Sequence, residues 1–339
     1  MCAQQEDYIQ TYLAAIEDEL QQAVKQAHDN GNTQLHDMLA YHMGWQGKPV
    51  NIDARGKRIR PLLVLMTCSA AGGDWKQALP AAAAVELVHN FSLIHDDIED
   101  RSPLRRGRPT VWKKWGIPQA INAGDAMLTL AHLQLIRLTG KKSPSIVLNA
   151  VEILQQACLH LTQGQYMDLA YEKRNNVTID DYWYMVEGKT AALISVSTEL
   201  GALSANCDDQ TRIIYRSFGR LLGLAFQVQD DLLGIWGDAD ITGKSNQSDL
   251  ITRKKTLPVL YGLSNSGEFT ECWNQAPVCP DQAEKLIDLL EKAGGKSYTL
   301  AKAMELINNA LNMLKEAHPM GSAGQDLKNF VLNLIHRQG

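Results

Sequence analysis

The chain has 339 residues, with 45% apolar and 21% charged side chains and a formal net charge of −5 at pH 7. Such a composition can bury a sizeable core and excludes a disordered polypeptide, and the near-balanced charge excludes a surface dedicated to nucleic acid. The six cysteines, Cys2, Cys68, Cys158, Cys207, Cys272 and Cys279, form no C-x-x-C pair, so neither a zinc site nor a disulfide framework is expected.

Helical periodicity starts near the beginning of the chain. Residues 7–28 place Ile9, Leu13, Ile16, Leu20 and Val24 at steps of three and four, forming one apolar stripe. The seven residues from Met1 to Asp7 hold neither a basic residue nor an apolar run, so no secretory signal is expected. The same spacing predicts helices over 59–71, 77–99, 119–138, 145–170, 180–204, 208–235 and 282–316. Turn chemistry separates them at Gly72-Gly73-Asp74, Gly140 to Pro144, Asn175-Asn176, Asn206 to Asp209 and Gly294-Gly295. Residues 265–281 read as an irregular loop. No two-residue alternation predicts strands, and no run of about 20 apolar residues predicts a membrane span. The expectation is an all-α bundle forming one domain over 1–339, in a reduced, cytoplasmic protein.

Two of these helices end in acid. Residues 95–100 read His95-Asp96-Asp97-Ile98-Glu99-Asp100, and residues 227–231 read Gln227-Val228-Gln229-Asp230-Asp231. Positions i and i+4 share a helix face, so Asp96 and Asp100 point the same way, with Asp97 beside them. Carboxylates at a helix C-terminus oppose the dipole and repel each other, a cost that a divalent cation offsets. Mg²⁺ suits such oxygen ligands, because it binds through one or two carboxylates plus substrate phosphates. Taken alone, an acidic helix end is as readily a solvated surface. Two such ends facing each other across a bundle form a carboxylate-walled cavity with apolar sides.

Basic residues stand near both. Gly56-Lys57-Arg58-Ile59-Arg60-Pro61 opens a helix, where unpaired N–H groups favour anions, and the spacing puts Lys57 and Arg60 on one face. Arg105-Arg106-Gly107 follows the first acidic cluster, and Lys244, Lys254 and Lys255 follow the second. Arginine binds two phosphate oxygens with its planar fork. The chemistry implied is metal-assisted handling of diphosphates in an apolar cavity. His95 reads as a helix-packing residue.

In this order the motifs resemble those of the trans-isoprenyl diphosphate synthases, the farnesyl and geranylgeranyl diphosphate synthases and their relatives. Asp96, Asp97 and Asp100 match the D-D-x-x-D motif, followed by Arg105-Arg106-Gly107. Gly56, Lys57, Arg60 and Pro61 match G-K-x-x-R-P, and Glu86-Leu87-Val88-His89 matches the helix before the metal site. Lys189-Thr190, Gln227 to Asp231, Thr242-Gly243-Lys244 and Lys254-Lys255-Thr256-Leu257-Pro258 complete the set, strongest over 53–262. One departure stands out. The second motif usually ends in a third aspartate, and here Gly234 takes that place, with Asp238 a further turn on if the helix continues.

The resemblance implies an isoprenoid-synthase-type helical bundle around a central cavity, acting as a homodimer. It implies Mg²⁺ ions, about three per active site, brought with the allylic diphosphate. Asp96, Asp100 and Asp230 would hold the metal, with Asp97 and Asp231 in support. Arg105, Lys189 and Lys244 would neutralise the allylic diphosphate, which is dimethylallyl, geranyl or farnesyl diphosphate. Lys57, Arg60, His89 and Arg106 would bind isopentenyl diphosphate, and Lys254 also counts among the substrate-binding residues. Thr190 and Gln227 would turn oxygens toward the allylic cation. Phe91, five residues before Asp96, and the small Ser92 would set product length, pointing to a C20 product ahead of C15. A class I terpene cyclase has no use for Lys57, Arg60, His89 and Arg106. A non-catalytic partner subunit should have lost its acidic motifs, whereas the first is intact here.

Overall fold

The computed structural model describes residues 3–28, 33–47, 52–237, 248–265, 267–275 and 280–335. Among them the helices α1 (Ala3–Lys25), α2 (Gln34–His42), α3 (Ile52–Arg55), α4 (Ile59–Ala70) and α5 (Leu79–Glu99) come first. A hairpin of β1 (Leu104–Arg105) and β2 (Arg108–Pro109) follows, then α6 (Val111–Trp115), α7 (Ile117–Ile136) and α8 (Pro144–Lys173). Next are α9 (Ile179–Val186), a π turn (Glu187–Ala191), α10 (Ala192–Ser204) and α11 (Asp209–Trp236). Helices Ser248–Ile251, Leu257–Ser264, Glu268–Gln275, Pro280–Lys292, Gly295–Glu316 and Gly321–Ile335 complete the chain. The all-α expectation is met, with β1–β2 as the one pair of strands among the described residues.

The chain divides into two compact units. The first comprises residues 1–156, 197–212 and 319–327. Here the α1 stripe is realised, with Ile16, Leu20 and Val24 fully buried. The helix α5 carries Pro80 in its first turn, where a missing N–H costs nothing, and buries every residue from Ala81 to Val88. It packs most extensively on α7. A Cβ at Gly124 of α7 would lie 2.2 Å from Nε2 of His95, so only glycine lets that imidazole cross the helix. His95 is therefore a packing residue, as its sequence context suggested.

The second unit comprises residues 157–196, 213–318 and 328–339. One apolar cluster joins Tyr182, Val186, Ala191, Leu224, Val228 and Leu257. Another joins Ile235, Leu250, Val259, Phe269, Trp273 and Leu290. The expected loop at 265–281 contains the helix Glu268–Gln275, anchored by the buried i, i+4 pair Phe269 and Trp273. Helices Gln34–His42 and Gly321–Ile335 also lie where no periodic segment was expected.

Candidate active site

In the first unit α5 ends at Glu99, and the N–H of its C-cap residue Asp100 donates to the Asp96 carbonyl at 2.8 Å. The three aspartates have different environments. Asp96 is half-buried and Asp100 exposed, whereas Asp97 is only 2% exposed. Arg105 donates from Nε to both Asp97 oxygens, at 2.9 and 3.0 Å, and its Nη2 lies 2.9 Å from Oδ1. Burial pushes the Asp97 carboxyl above its ordinary pKa, while the Arg105 guanidinium pulls it down.

The Arg105-Arg106-Gly107 run owes its form to the hairpin. Leu104 pairs with Pro109 and Arg105 with Arg108, leaving Arg106-Gly107 as a two-residue loop. Both loop residues have positive φ, 51° and 71°, which is type I′ turn geometry. The turn sends Arg105 back onto Asp97. It sends Nη1 of Arg106 to the Ala54 carbonyl at 3.0 Å. A Cβ on Gly56 would lie 2.5 Å from the Arg106 guanidinium, so the glycine of the G-K motif is the seat of this arginine. A cleft next to the hairpin is lined by Tyr41, His42, Ala54, Asp97, Arg105 and Arg106.

The G-K-x-x-R-P segment differs from its expected form. Arg58 adopts a left-handed conformation (φ 49°) and α4 starts only at Ile59. Lys57 thus lies outside the helix, and the argument placing it on one helical face with Arg60 does not apply. The strained turn is held by buried charge: Arg58 reaches Glu17 at 2.6 Å and Glu86 at 2.8 Å. Nη1 of Arg60 lies 3.3 Å from Nε2 of the half-buried His89. Burial, then Arg60, Arg106, Arg105 and Arg58, hold the His89 imidazole well below its ordinary pKa, so it is neutral. Phe91 stacks edge-to-face on His95 at 4.9 Å, and the Ser92 hydroxyl donates to the His89 carbonyl.

In the second unit the acidic pair is also split. Asp230 is exposed and Asp231 is 3% exposed. They do not end their helix: α11 runs on to Trp236 because Ile235 is buried in the core. Asp231 accepts from the Tyr182 hydroxyl (2.7 Å), the Leu257 N–H (2.9 Å) and Nε2 of Gln227 (2.9 Å). Burial raises its carboxyl pKa, and these donors and Lys254 oppose the rise. Burial and then Asp231 push the Tyr182 phenol well above its ordinary value, so it keeps the proton it donates. The opposite face of the Gln227 amide, Oε1, accepts from the Thr190 hydroxyl at 2.6 Å.

Lys189 and Thr190 sit on the π turn, in which the Ala192 N–H donates to the Glu187 carbonyl. Such a turn is a recurrent mark of functional sites. It is clasped by two glycines: a Cβ on Gly164 of α8 would lie 2.1 Å from the Lys189 nitrogen, and one on Gly188 2.5 Å from the His160 carbonyl oxygen. The Lys189 ammonium pairs with Asp168. Lys255 is committed to the carbonyls of Tyr171 and Glu172 at the end of α8. Thr242, Gly243, Lys244 and Asp238 lie outside the described residues.

Reading the sequence missed Arg58, Asp168 and Tyr182. Asp168 carried a signal, lying one turn beyond Gly164 on the helix that meets Lys189. Tyr182 carried none, being one aromatic residue in an apolar stripe. The donor set fits Mg²⁺. Asp96 and Asp100 stand one turn apart with oxygen donors, and the deeper carboxylate of each pair is braced by internal hydrogen bonds. Among the described residues no three acidic, histidine or cysteine side chains converge on one point. A metal bound by one or two carboxylates and substrate phosphates needs no such cage.

The polyprenyl synthetase family model matches residues 48–290. The chain is 44% identical over 291 residues to the geranylgeranyl diphosphate synthase of Mycobacterium tuberculosis, covering 84% of this chain and 82% of that one. It is 39% identical over 326 residues to the (2E,6E)-farnesyl diphosphate synthase of Mycobacterium bovis, covering 93% and 89%. The structure of a polyprenyl synthetase from Streptomyces coelicolor is similar with a TM-score of 0.88 and 33% identity, covering 96% and 98%. The all-α isoprenoid-synthase fold implied by the motifs is thereby borne out. A family match over most of the sequence, relatives of this closeness and one shared fold lead to one conclusion: the chain belongs to the polyprenyl synthetase family.

Proposed function

We propose that this chain is a short-chain trans-prenyltransferase that condenses isopentenyl diphosphate with allylic diphosphates. The observation that carries the reading is the polar relay through Asp231, Gln227 and Thr190. A carboxylate accepts only, so Asp231 orients the Gln227 amide nitrogen toward itself. The amide oxygen then faces Thr190, and the Thr190 hydrogen is spent on it. What Thr190 can offer a reacting carbon is therefore a lone pair, the group that stabilises an allylic cation.

Asp96, Asp100 and Asp230 are assigned to Mg²⁺, which would supply the positive charge that stabilises a departing diphosphate. Arg105, Lys189 and Lys244 neutralise the same allylic diphosphate. Arg105 is also bound to Asp97, and Lys189 to Asp168, so both cations are held in place before substrate arrives. Lys57, Arg60, His89 and Arg106 take isopentenyl diphosphate, with His89 presenting a neutral ring and Lys254 contributing further charge. The double bond of isopentenyl diphosphate attacks the allylic carbon, and the released diphosphate takes the final proton.

The main product is assigned as C20, with C15 next. The assignment is supported by Phe91 before the first motif and by the 44% and 39% relatives, whose names carry those two products. A homodimer is proposed on the apolar residues Ile117, Ile121, Leu133 and Ile136 that α7 leaves exposed. One domain is proposed, because α8 and α11 each contribute residues to both units. A cytoplasmic location suits the free thiols of Cys68, Cys158, Cys207 and Cys272. The test is turnover by the chain alone, with Mg²⁺, isopentenyl diphosphate and each allylic primer, and chromatography of the dephosphorylated products. Condensation to C20 is expected, and no turnover with any primer overturns the reading.

A further inference from the structure

The backbone on either side of Lys57 is left-handed: Gly56 has φ 78° and Arg58 has φ 49°. Glycine adopts that region freely, whereas a residue with a Cβ avoids it, so Arg58 must be held there. Two carboxylates from other helices hold it. Nε of Arg58 donates to Oε1 of Glu17 on α1 at 2.6 Å, and Nη1 donates to Oε1 of Glu86 on α5 at 2.8 Å. Each carboxylate is fixed in turn by a further donor. Nε1 of Trp45 donates to Oε2 of Glu17 at 2.7 Å, and Nδ2 of Asn90 donates to Oε1 of Glu86 at 3.0 Å.

Arg58 is 3% exposed, while Lys57 beside it is exposed and Arg60 half-buried. Burying a guanidinium against two carboxylates is a poor route to stability, since apolar side chains of similar volume often serve as well. What the triad adds is direction: a planar fork gripped by two acids fixes the backbone that carries it. Glu17 and Trp45 lie outside residues 48–290, the span matched by the polyprenyl synthetase model. The brace thus reaches the G-K-x-x-R-P segment from beyond the matched region.

We propose that Arg58 and Glu17 are positioning residues for isopentenyl diphosphate. The Glu17–Arg58–Glu86 clamp fixes the left-handed turn that takes Lys57 out of α4 while Arg60 stays within it. The first helix thereby controls affinity for one of the two substrates. The proposal rests on the assignment of Lys57, Arg60, His89 and Arg106 to isopentenyl diphosphate.

The test uses the full chain: calorimetric titration with isopentenyl diphosphate in the absence of Mg²⁺, then kcat and the KM for each substrate. Circular dichroism and thermal melting check each fold. Glu17→Ala is expected to weaken metal-free binding of isopentenyl diphosphate and raise its KM by about tenfold, with kcat and the allylic KM within about twofold of wild type. Glu17→Gln keeps an acceptor for Nε and is expected to recover affinity to within about threefold of wild type. Trp45→Phe removes one donor to Glu17 and should give a smaller loss in the same direction; it carries the test if Glu17→Ala does not fold. Glu19→Ala is the control, since Glu19 lies on the same helix but pairs with Arg137 at 2.6 Å, and it should bind as wild type does. Wild-type affinity in Glu17→Ala, with Arg60→Ala strongly impaired, overturns the positioning role. An equal loss in Glu19→Ala, or an equal rise in both KM values, overturns it as well, because α1 would then act through stability alone. Unchanged metal-free binding in Arg60→Ala overturns the underlying substrate assignment instead.

Discussion

The Tyr182 hydroxyl donates to Oδ2 of Asp231 at 2.7 Å, and both residues are buried. Tyr182 is one of three donors that hold this carboxylate, and through it the Gln227 amide and the Thr190 hydroxyl. Tyr182→Phe leaves Asp231 one donor short at the cost of about 1–3 kcal/mol of stability. Turnover is expected to fall further than stability alone explains, because Gln227 loses its fixed orientation. Urea unfolding and steady-state kinetics on the same preparation check this. Loss of stability with an unchanged kcat would make the relay purely structural.

Asp96→Ala or Asp230→Ala should remove nearly all turnover with the helical fold intact. Both residues lie on the accessible side of their motifs, so neither supports the core. Far-ultraviolet circular dichroism and a radiolabel assay decide the matter. Near-normal activity in either variant contradicts the metal assignment.

Gly164→Ala should damage the enzyme through the π turn. The new methyl would overlap the Lys189 backbone nitrogen, forcing α8 and the turn apart. Overpacking of this kind costs about 1–3 kcal/mol, and it moves Lys189 and Thr190 with the backbone. Gly140→Ala is the control, since a Cβ there has nothing within 4 Å. The pair is compared by thermal melting and kcat, with Gly140→Ala expected to match wild type in both.

Stability should decline on the acid side through His42. Its Nε2 is buried without a hydrogen-bond partner, and burial followed by Arg105, Arg106 and Arg58 holds its pKa well below 6.5. A base depressed in the folded state is protonated first in the unfolded state. Its contribution is therefore complete above about pH 6.5 and is lost as pH falls toward the folded value, at about 1.4 kcal/mol per pH unit. His42→Gln should flatten the fall in urea midpoint between about pH 6.5 and pH 5 by that one-proton slope. An acid limb parallel to wild type would place the titrating group elsewhere.

Phe91→Ala should lengthen the product by one or more five-carbon units. Each added unit buries CH₂ groups at about 0.8 kcal/mol apiece, so opened space fills. Chromatography of dephosphorylated products measures it. Unchanged lengths would mean that the Phe91 ring serves only to pack on His95.

The helices and the order of the motifs were legible in the sequence because both are written in local spacing. Ile16, Leu20 and Val24 sit inside as their periodicity requires. What spacing does not carry is conformation at single residues and contact across the chain. Lys57 and Arg60 look like helix neighbours until Arg58 turns left-handed, and that turn is held by the distant Glu17 and Glu86. Adjacent aspartates look alike until one of each pair is buried under donors from other elements. The helix Glu268–Gln275 escaped notice because two apolar anchors in eight residues give too short a period to read.

The π turn at 187–191 also takes in one residue more than a regular helix would need there. An α-helix closes each turn in about 3.6 residues and an i→i+5 turn takes about one more, so the extra residue is absorbed locally and α10 follows α9 nearly in phase. Loss of a single residue there would make an ordinary helix, locally more regular than the native one. It would leave the buried face of α10, with Leu193, Val196 and Leu200, turned to the core, but it would redraw the backbone that carries Lys189 and Thr190. The extra residue is thus tied to the placement of Lys189 and Thr190 and not to the packing of α10.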